Sequence, residues 1–219
     1  MSTLDQRFEW FSDWVEQHLL LTLTVVSLPD PVRVLAAFGP TEFDRGALSL
    51  RAAHDLDEPA VRLGAAAGWT YAVEHASTTG GDADVLARLT ADGGTAVAPC
   101  STPNVSSVHV ARDGDHLCAF EPSFPDSTRW GSAPHAFDTE MRDAGFRGPV
   151  ETRPGAPVAS FLQLLTGVTL TPAMLEDPLP YAVLPPRHGT GDGGALGSTP
   201  LVPGTLMPDP TQHGGTPDG

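Results

Sequence analysis

The chain of 219 residues contains no lysine and no isoleucine, and a single asparagine, Asn104. Every cation besides histidine is therefore arginine. The scarcity of these three residue types points to a GC-rich coding genome. Basic residues are few in absolute terms as well: 12 arginines stand against 27 carboxylates, a formal charge of −15 at pH 7. A net anion repels phosphate backbones, which excludes non-specific nucleic-acid binding and favours a cationic protein partner. Cys100 and Cys118 are the only cysteines. Two cysteines so far apart make neither a disulfide framework nor a zinc spacing, so a reducing compartment is the default. Long apolar runs are missing too. The longest, Leu19 to Leu28, is broken by Thr22, Thr24 and Ser27 and is far shorter than the ~20 residues that span a bilayer. The N-terminal stretch is acidic and amphipathic, with no basic segment of the secretory type. The expectation is a cytoplasmic protein with no membrane attachment, in which the Asn104-Val105-Ser106 glycosylation match goes unused.

What is present reads as one α+β domain over residues 1–184 and a Pro/Gly-rich tail over 185–219. The tail has few large apolar residues and is expected to be disordered, because it cannot bury enough surface to offset its chain entropy. Residues 3–18 have helical period, with Leu4, Phe8, Phe11 and Val15 on one stripe and Thr3 and Gln6 forming a capping box. Residues 20–28 alternate Leu and Val with Thr and predict a strand. Asp30-Pro31 opens a second helix that Gly39-Pro40 ends. Residues 41–58 predict a short helix and an irregular loop. A hairpin follows over 60–75, then a segment over 82–91 that fits a short helix or a strand, with Leu86 and Leu89 on one side favouring helix, and a strand over 94–99. Helices are expected within 134–146 and 158–166, and Thr171-Pro172 caps a last short turn.

The richest stretch is 105–121. Asp113-Gly114 between two alternating runs is a type I′ hairpin turn, since both central residues need positive φ. Strict alternation then sets Arg112 opposite Asp115, Val110 opposite Leu117 and His109 opposite Cys118. Val108, Val110, Leu117 and Ala119 are expected on the core face, with Ser107, His109, His116, Cys118 and Phe120 on the other.

Several local motifs carry a resemblance: L-T-L-T-V-V, V-L-A-A-F-G, G-W-T-Y-A-V-E, R-L-T-A-D-G-G-T-A-V, R-D-G-D-H-L-C-A-F-E-P, R-W-G-S, M-R-D-A-G-F and L-L-T-G-V-T-L-T-P-A-M-L. In this order, over about Trp14 to Leu175, the chain resembles a family of uncharacterised bacterial domains of unknown function. The resemblance implies one domain with helices around a sheet, and no activity.

Chemistry is sparse. His109, His116 and Cys118 on one side of the hairpin would need a fourth ligand such as His75 or Glu74 to hold zinc or copper. With no C-x-x-C or H-x-x-x-H pair, no metal site is assigned. Glu74 ends an otherwise apolar strand, which suits either an acid–base role or a paired strand-end carboxylate. There is no G-x-S-x-G elbow, and a cysteine within a sheet is more often an inert hydrophobe. The only G-x-G-x-x-G, Gly189 to Gly194, lies in the tail, follows no strand and binds no phosphate on this reading. Trp69 and Trp130 fit the core or a partner-binding patch, with Arg129 beside Trp130 as a cation.

The resulting expectation is an antiparallel sheet of about five strands with helices packed mainly on one face. The function expected first is an acidic protein-interaction module, of immunity or regulatory type, for a basic protein, without a cofactor. The alternative is a hydrolase or small-molecule-binding enzyme with Glu74, His109 and His116 on the hairpin face. The binding candidates are Trp69, Arg129 and Trp130.

Overall fold

Asp30 and Pro31 start a helix as the sequence predicts. The Asp30 carboxylate accepts the Val32 N–H at 3.0 Å, and Gly39, at φ +64°, closes the other end. A computed structural model of the protein describes residues 7–18, 21–40, 42–146 and 154–186. The Thr3–Gln6 capping box and the tail from Arg187 onward lie outside the described residues.

In chain order the elements are α1 (Glu9–Gln17), β1 (Leu21–Val26), α2 (Pro31–Phe38), β2 (Glu42–Leu48), α3 (Leu50–Ala53), β3 (Ala60–Ala66) and β4 (Trp69–His75). A 3₁₀ turn over Thr79–Gly81 leads to α4 (Ala83–Thr90), β5 (Thr95–Ser101), β6 (Ser106–Arg112) and β7 (Asp115–Phe120). Then come α5 (Asp138–Asp143), α6 (Gly155–Thr166), α7 (Pro172–Glu176) and β8 (Leu179–Val183). The strands form one antiparallel sheet in the order β2-β8-β3-β4-β1-β5-β6-β7.

Among the described residues the sheet has eight strands, not about five. The additions include β2 and β8, which pair with each other, and neither has a clean strand pattern. β2 carries charges and Gly46, and its ladder slips between Asp44 and Ala47. β8 contains Pro180, which has no N–H to donate. Its ladder with β3 accordingly runs only from Ala60↔Val183 to Arg62↔Tyr181 and stops before the proline.

Helices cover both faces, which corrects the expectation of one. On the first face α1, with Phe8 just before it, and α6 bring Phe8, Phe11, Phe161 and Leu162 onto Leu23, Val73, Val97 and Val110. On the second, α2 and α4 bring Leu35, Phe38, Leu86 and Leu89 onto Val26, Ala72, Ala96 and Ala111. The alanines keep that second face shallow and let short helices sit close. Alternation in β1 does not mark one side as solvent, because Leu23 and Val25 are buried and so are Thr22 and Thr24.

Where α1 meets α6 the backbones touch. A methyl group on Gly155 would lie 2.6 Å from Ser12 Cα, and the Ala156 N–H donates to Ser12 Oγ at 2.9 Å. Gly155→Ala must separate the two helices and is expected to cost about 1–3 kcal/mol by overpacking. A shift of the urea midpoint measures it, and an unchanged midpoint would show that the crossing is not tight.

Candidate functional site

The Asp113-Gly114 turn forms as predicted, with φ of +55° and +85°, and Arg112 pairs with Asp115 and Ala111 with His116. The ladder then slips by one residue. Val110 faces Cys118, His109 faces Ala119 and Val108 faces Phe120, leaving Leu117 as the extra residue of a β-bulge. The slip divides the expected polar face. Cys118 and Phe120 join Val108 and Val110 in the first core, while Ala119 moves to the side of His109. The set of His109, His116 and Cys118 therefore does not converge. Among the described residues, no group of three or more His, Cys, Asp or Glu side chains is placed to hold a metal.

The two histidines do meet. His109 Nδ1 lies 3.2 Å from His116 Nε2, and Ser107 Oγ lies 2.8 Å from His109 Nε2. Trp130 pairs with Ala119, whose small side chain leaves room for the indole to meet His109 edge-on at 5.9 Å. Burial, together with the neighbouring His116, holds His109 down to about 4, and burial lowers His116 too. At neutral pH this is an uncharged chain, Ser107–His109–His116. His109 is a weak base there, since a general base works best with a pKa near the operating pH. Burial pushes the Cys118 thiol up to about 11, and its S–H donates to the Pro134 carbonyl at 3.3 Å, so it is a protonated, inert thiol.

Glu74 is buried, and its carboxylate holds a turn. Oε2 accepts the Ser77 O–H at 2.6 Å and the Thr79 N–H at 2.7 Å, and Oε1 accepts the Gly80 N–H at 2.8 Å. Antiparallel pairing sets Thr22 between Glu74 and Cys100, and Cys100 beside Ser107. The Thr79–Gly81 turn lies over this row. A methyl group on Gly81 would be 2.7 Å from Cys100 Sγ and 3.6 Å from His109 Nε2. Glu74 and His109 thus flank the same turn, but Glu74 grips its backbone.

The binding candidates separate. Trp69 starts β4 and packs on the first core, whereas Trp130 lies outside β7 against His109. At least four strand spacings, ~19 Å, divide them. Arg129 clamps its own loop, with Nε donating to the Pro125 carbonyl at 2.5 Å and the guanidinium paired with Asp126 and Asp138.

Two features escaped the sequence reading. Arg62, in the middle of β3, is fully buried and donates to the carbonyls of Leu175, at 2.6 Å, and Asp177, at 3.4 Å, at the end of α7. Burial lowers it to about 10, partly offset by Tyr71. An arginine inside an apolar run was the available signal. The other feature is a row of rings, Trp14, His18, His54 and His75, with successive centroids 4.2, 5.8 and 5.1 Å apart. Nothing in the spacing of these residues announces it.

An apolar cleft of about 40 Å³ lies among Phe11, Val15, Pro99, Pro122 and Val158, with Cys100 and Ser107 at its wall. A polar hollow of about 130 Å³ lies beside Arg33, Arg88 and Asp92. Neither gathers Glu74, His109 and His116. No helix among the described residues is long and apolar enough to cross a membrane. Comparisons with curated proteins and with solved structures find no match. Residues 1–183 match a family of unknown function, DUF6461, which agrees with the resemblance carried by the local motifs. The chain belongs to that family.

Proposed function

We propose that this domain is an acidic protein-interaction module, an immunity-type or regulatory partner of a basic protein. The observation that carries the reading is the charge balance, −15 at pH 7, together with the engagement of four arginines within the protein. Arg62 is buried, Arg33 is paired with Asp92, Arg129 with Asp126 and Asp138, and Arg88 donates to the Ala37 carbonyl at 2.8 Å. Carboxylates meanwhile stand exposed at Asp55, Asp57 and Glu58, at Asp113 and Asp115 of the hairpin tip, and at Glu9 of α1. A surface of this kind steers a cationic partner towards it.

The test is affinity capture of a partner with the full chain at low salt, followed by binding kinetics. Association with the captured basic protein is expected to slow about tenfold or more between 50 and 500 mM salt, because screening removes the steering. Asp57→Asn with Glu58→Gln should slow association further while leaving dissociation nearly unchanged. Recovery of no reproducible basic partner, or salt-independent association, counts against the module.

The Ser107–His109–His116 chain favours a second reading, a small-molecule or hydrolytic site on the hairpin face. Alanine substitution at Glu74, His109 and His116, with ligand screening by thermal shift, separates the two.

A further inference from the structure

The geometry points to a flap: Ser77–Gly81 covers a buried polar site on the sheet, is latched by the Glu74 carboxylate, and opens to admit a small uncharged molecule to Cys100 and His109. The cover is one 3₁₀ turn held from below by three hydrogen bonds to a single side chain. Its hinge is strained, because Ala76, which precedes it, sits at φ +51° without being glycine.

The fit of cover to floor depends on two missing side chains. A methyl group on Gly80 would lie 2.1 Å from Thr24 Oγ1 and 2.6 Å from Glu74 Oε1, and one on Gly81 would press on Cys100 Sγ. The floor is polar although it is closed. Thr22 and Thr24 are fully buried, and their hydroxyls have no hydrogen-bond partner among the described residues. Such a hydroxyl costs stability unless something bonds to it, and a core built only for packing would carry valine there. The register places Thr22 beside Cys100, and Thr24 Oγ1 points at the flap.

The chemistry of the walls selects the ligand. The Thr22 and Thr24 hydroxyls and the Cys100 thiol supply donors and acceptors, while the Glu74 carboxylate under the flap disfavours anions. A small carboxamide meets these conditions, and iodoacetamide is both a carboxamide and a probe. In the labelling reaction the Cys100 sulfur attacks the methylene carbon and the S–C bond forms. Iodide leaves with the C–I electron pair, and the thiol proton passes to solvent.

The native full-length protein is treated with iodoacetamide, and each cysteine is followed by peptide mass spectrometry over a urea series below the unfolding transition. Cys100 is expected to react through local opening, with little dependence on urea, while Cys118 reacts only as the whole domain unfolds. Glu74→Gln should speed Cys100 labelling about tenfold and keep its weak urea dependence, since the latch is weakened and the opening stays local. Iodoacetate should be disfavoured at Cys100 relative to iodoacetamide, beyond the ratio measured on the urea-unfolded chain. If Glu74→Gln does not fold, Ser77→Ala removes one of the three bonds and should give about threefold acceleration. Equal rates and equal urea dependence at the two cysteines, or a Cys100 rate unmoved by the folded variant, would overturn the flap. Equal access of iodoacetate would overturn the uncharged ligand.

Discussion

Phe161→Ala is expected to remove about 3–5 kcal/mol of stability, a large part of the roughly 5–15 kcal/mol that holds a domain of this size. Phe161 on α6 is fully buried, and three other rings meet it nearly at right angles: Phe120 at 5.6 Å, Phe146 at 6.2 Å and Phe137 at 6.4 Å. Phe120 and Phe146 also contact each other edge-on at 5.2 Å. These rings come from β7, from α6 and from both ends of the α5 region, so one truncation loosens several elements at once. Edge-to-face geometry adds about 0.5–1.5 kcal/mol per pair beyond area burial. Equilibrium urea unfolding measures the loss, with Leu164→Ala as the comparison. Leu164 lies on the same helix but is 45% exposed, and its truncation should cost less than about 0.5 kcal/mol. Equal losses for the two variants would mean that the four rings do not anchor the core.

The second large effect is on acid stability. His109 has an ordinary pKa of 6.5 in the unfolded chain and is held down to about 4 in the fold by burial and by His116. Above pH 6.5 neither state binds the proton, so the folded protein loses nothing. As the pH falls from 6.5 towards 4, the unfolded chain takes up the proton and the native state does not. Stability therefore declines across that window, by about 3 kcal/mol when the decline is complete. His116 and His75 are lowered as well, His75 by burial and then by His54 and Arg62, and both add a decline of the same sign. Urea unfolding at successive pH values from 7.5 to 4 should show it. His109→Gln should flatten the curve. A wild-type curve already flat over this range would show that the His109 ring takes up its proton in the native state.

Both effects depend on contacts between residues distant in sequence, and this limits what the sequence shows. The local devices were legible. Asp30 and Pro31 begin a helix, Gly39 ends it, and Asp113-Gly114 turns a hairpin, because each requirement is met within a few residues by backbone conformation. The strands of the central sheet were legible for the same reason. β2 and β8 were not, since their charges, Gly46 and Pro180 weaken any strand pattern, and only their neighbours complete the ladder. The candidate site was legible as residue types and not as an arrangement. Glu74, His109 and His116 stand out in the sequence by residue type, but one bulge at Leu117 decided which side chains share a face.

By itself, then, the sequence determined the helix and turn signals, the α+β class, the net charge and the membership in a family of unknown function. Only the tertiary structure decided that Cys118 lies in the core and Cys100 beside His109, that Glu74 grips a turn, and that Arg62 caps α7 from inside the sheet. The physical reason is range. Caps and turns are satisfied by neighbours in the chain, whereas strand register, the side a bulge exposes and the partner of a buried polar group are settled only when distant segments pack.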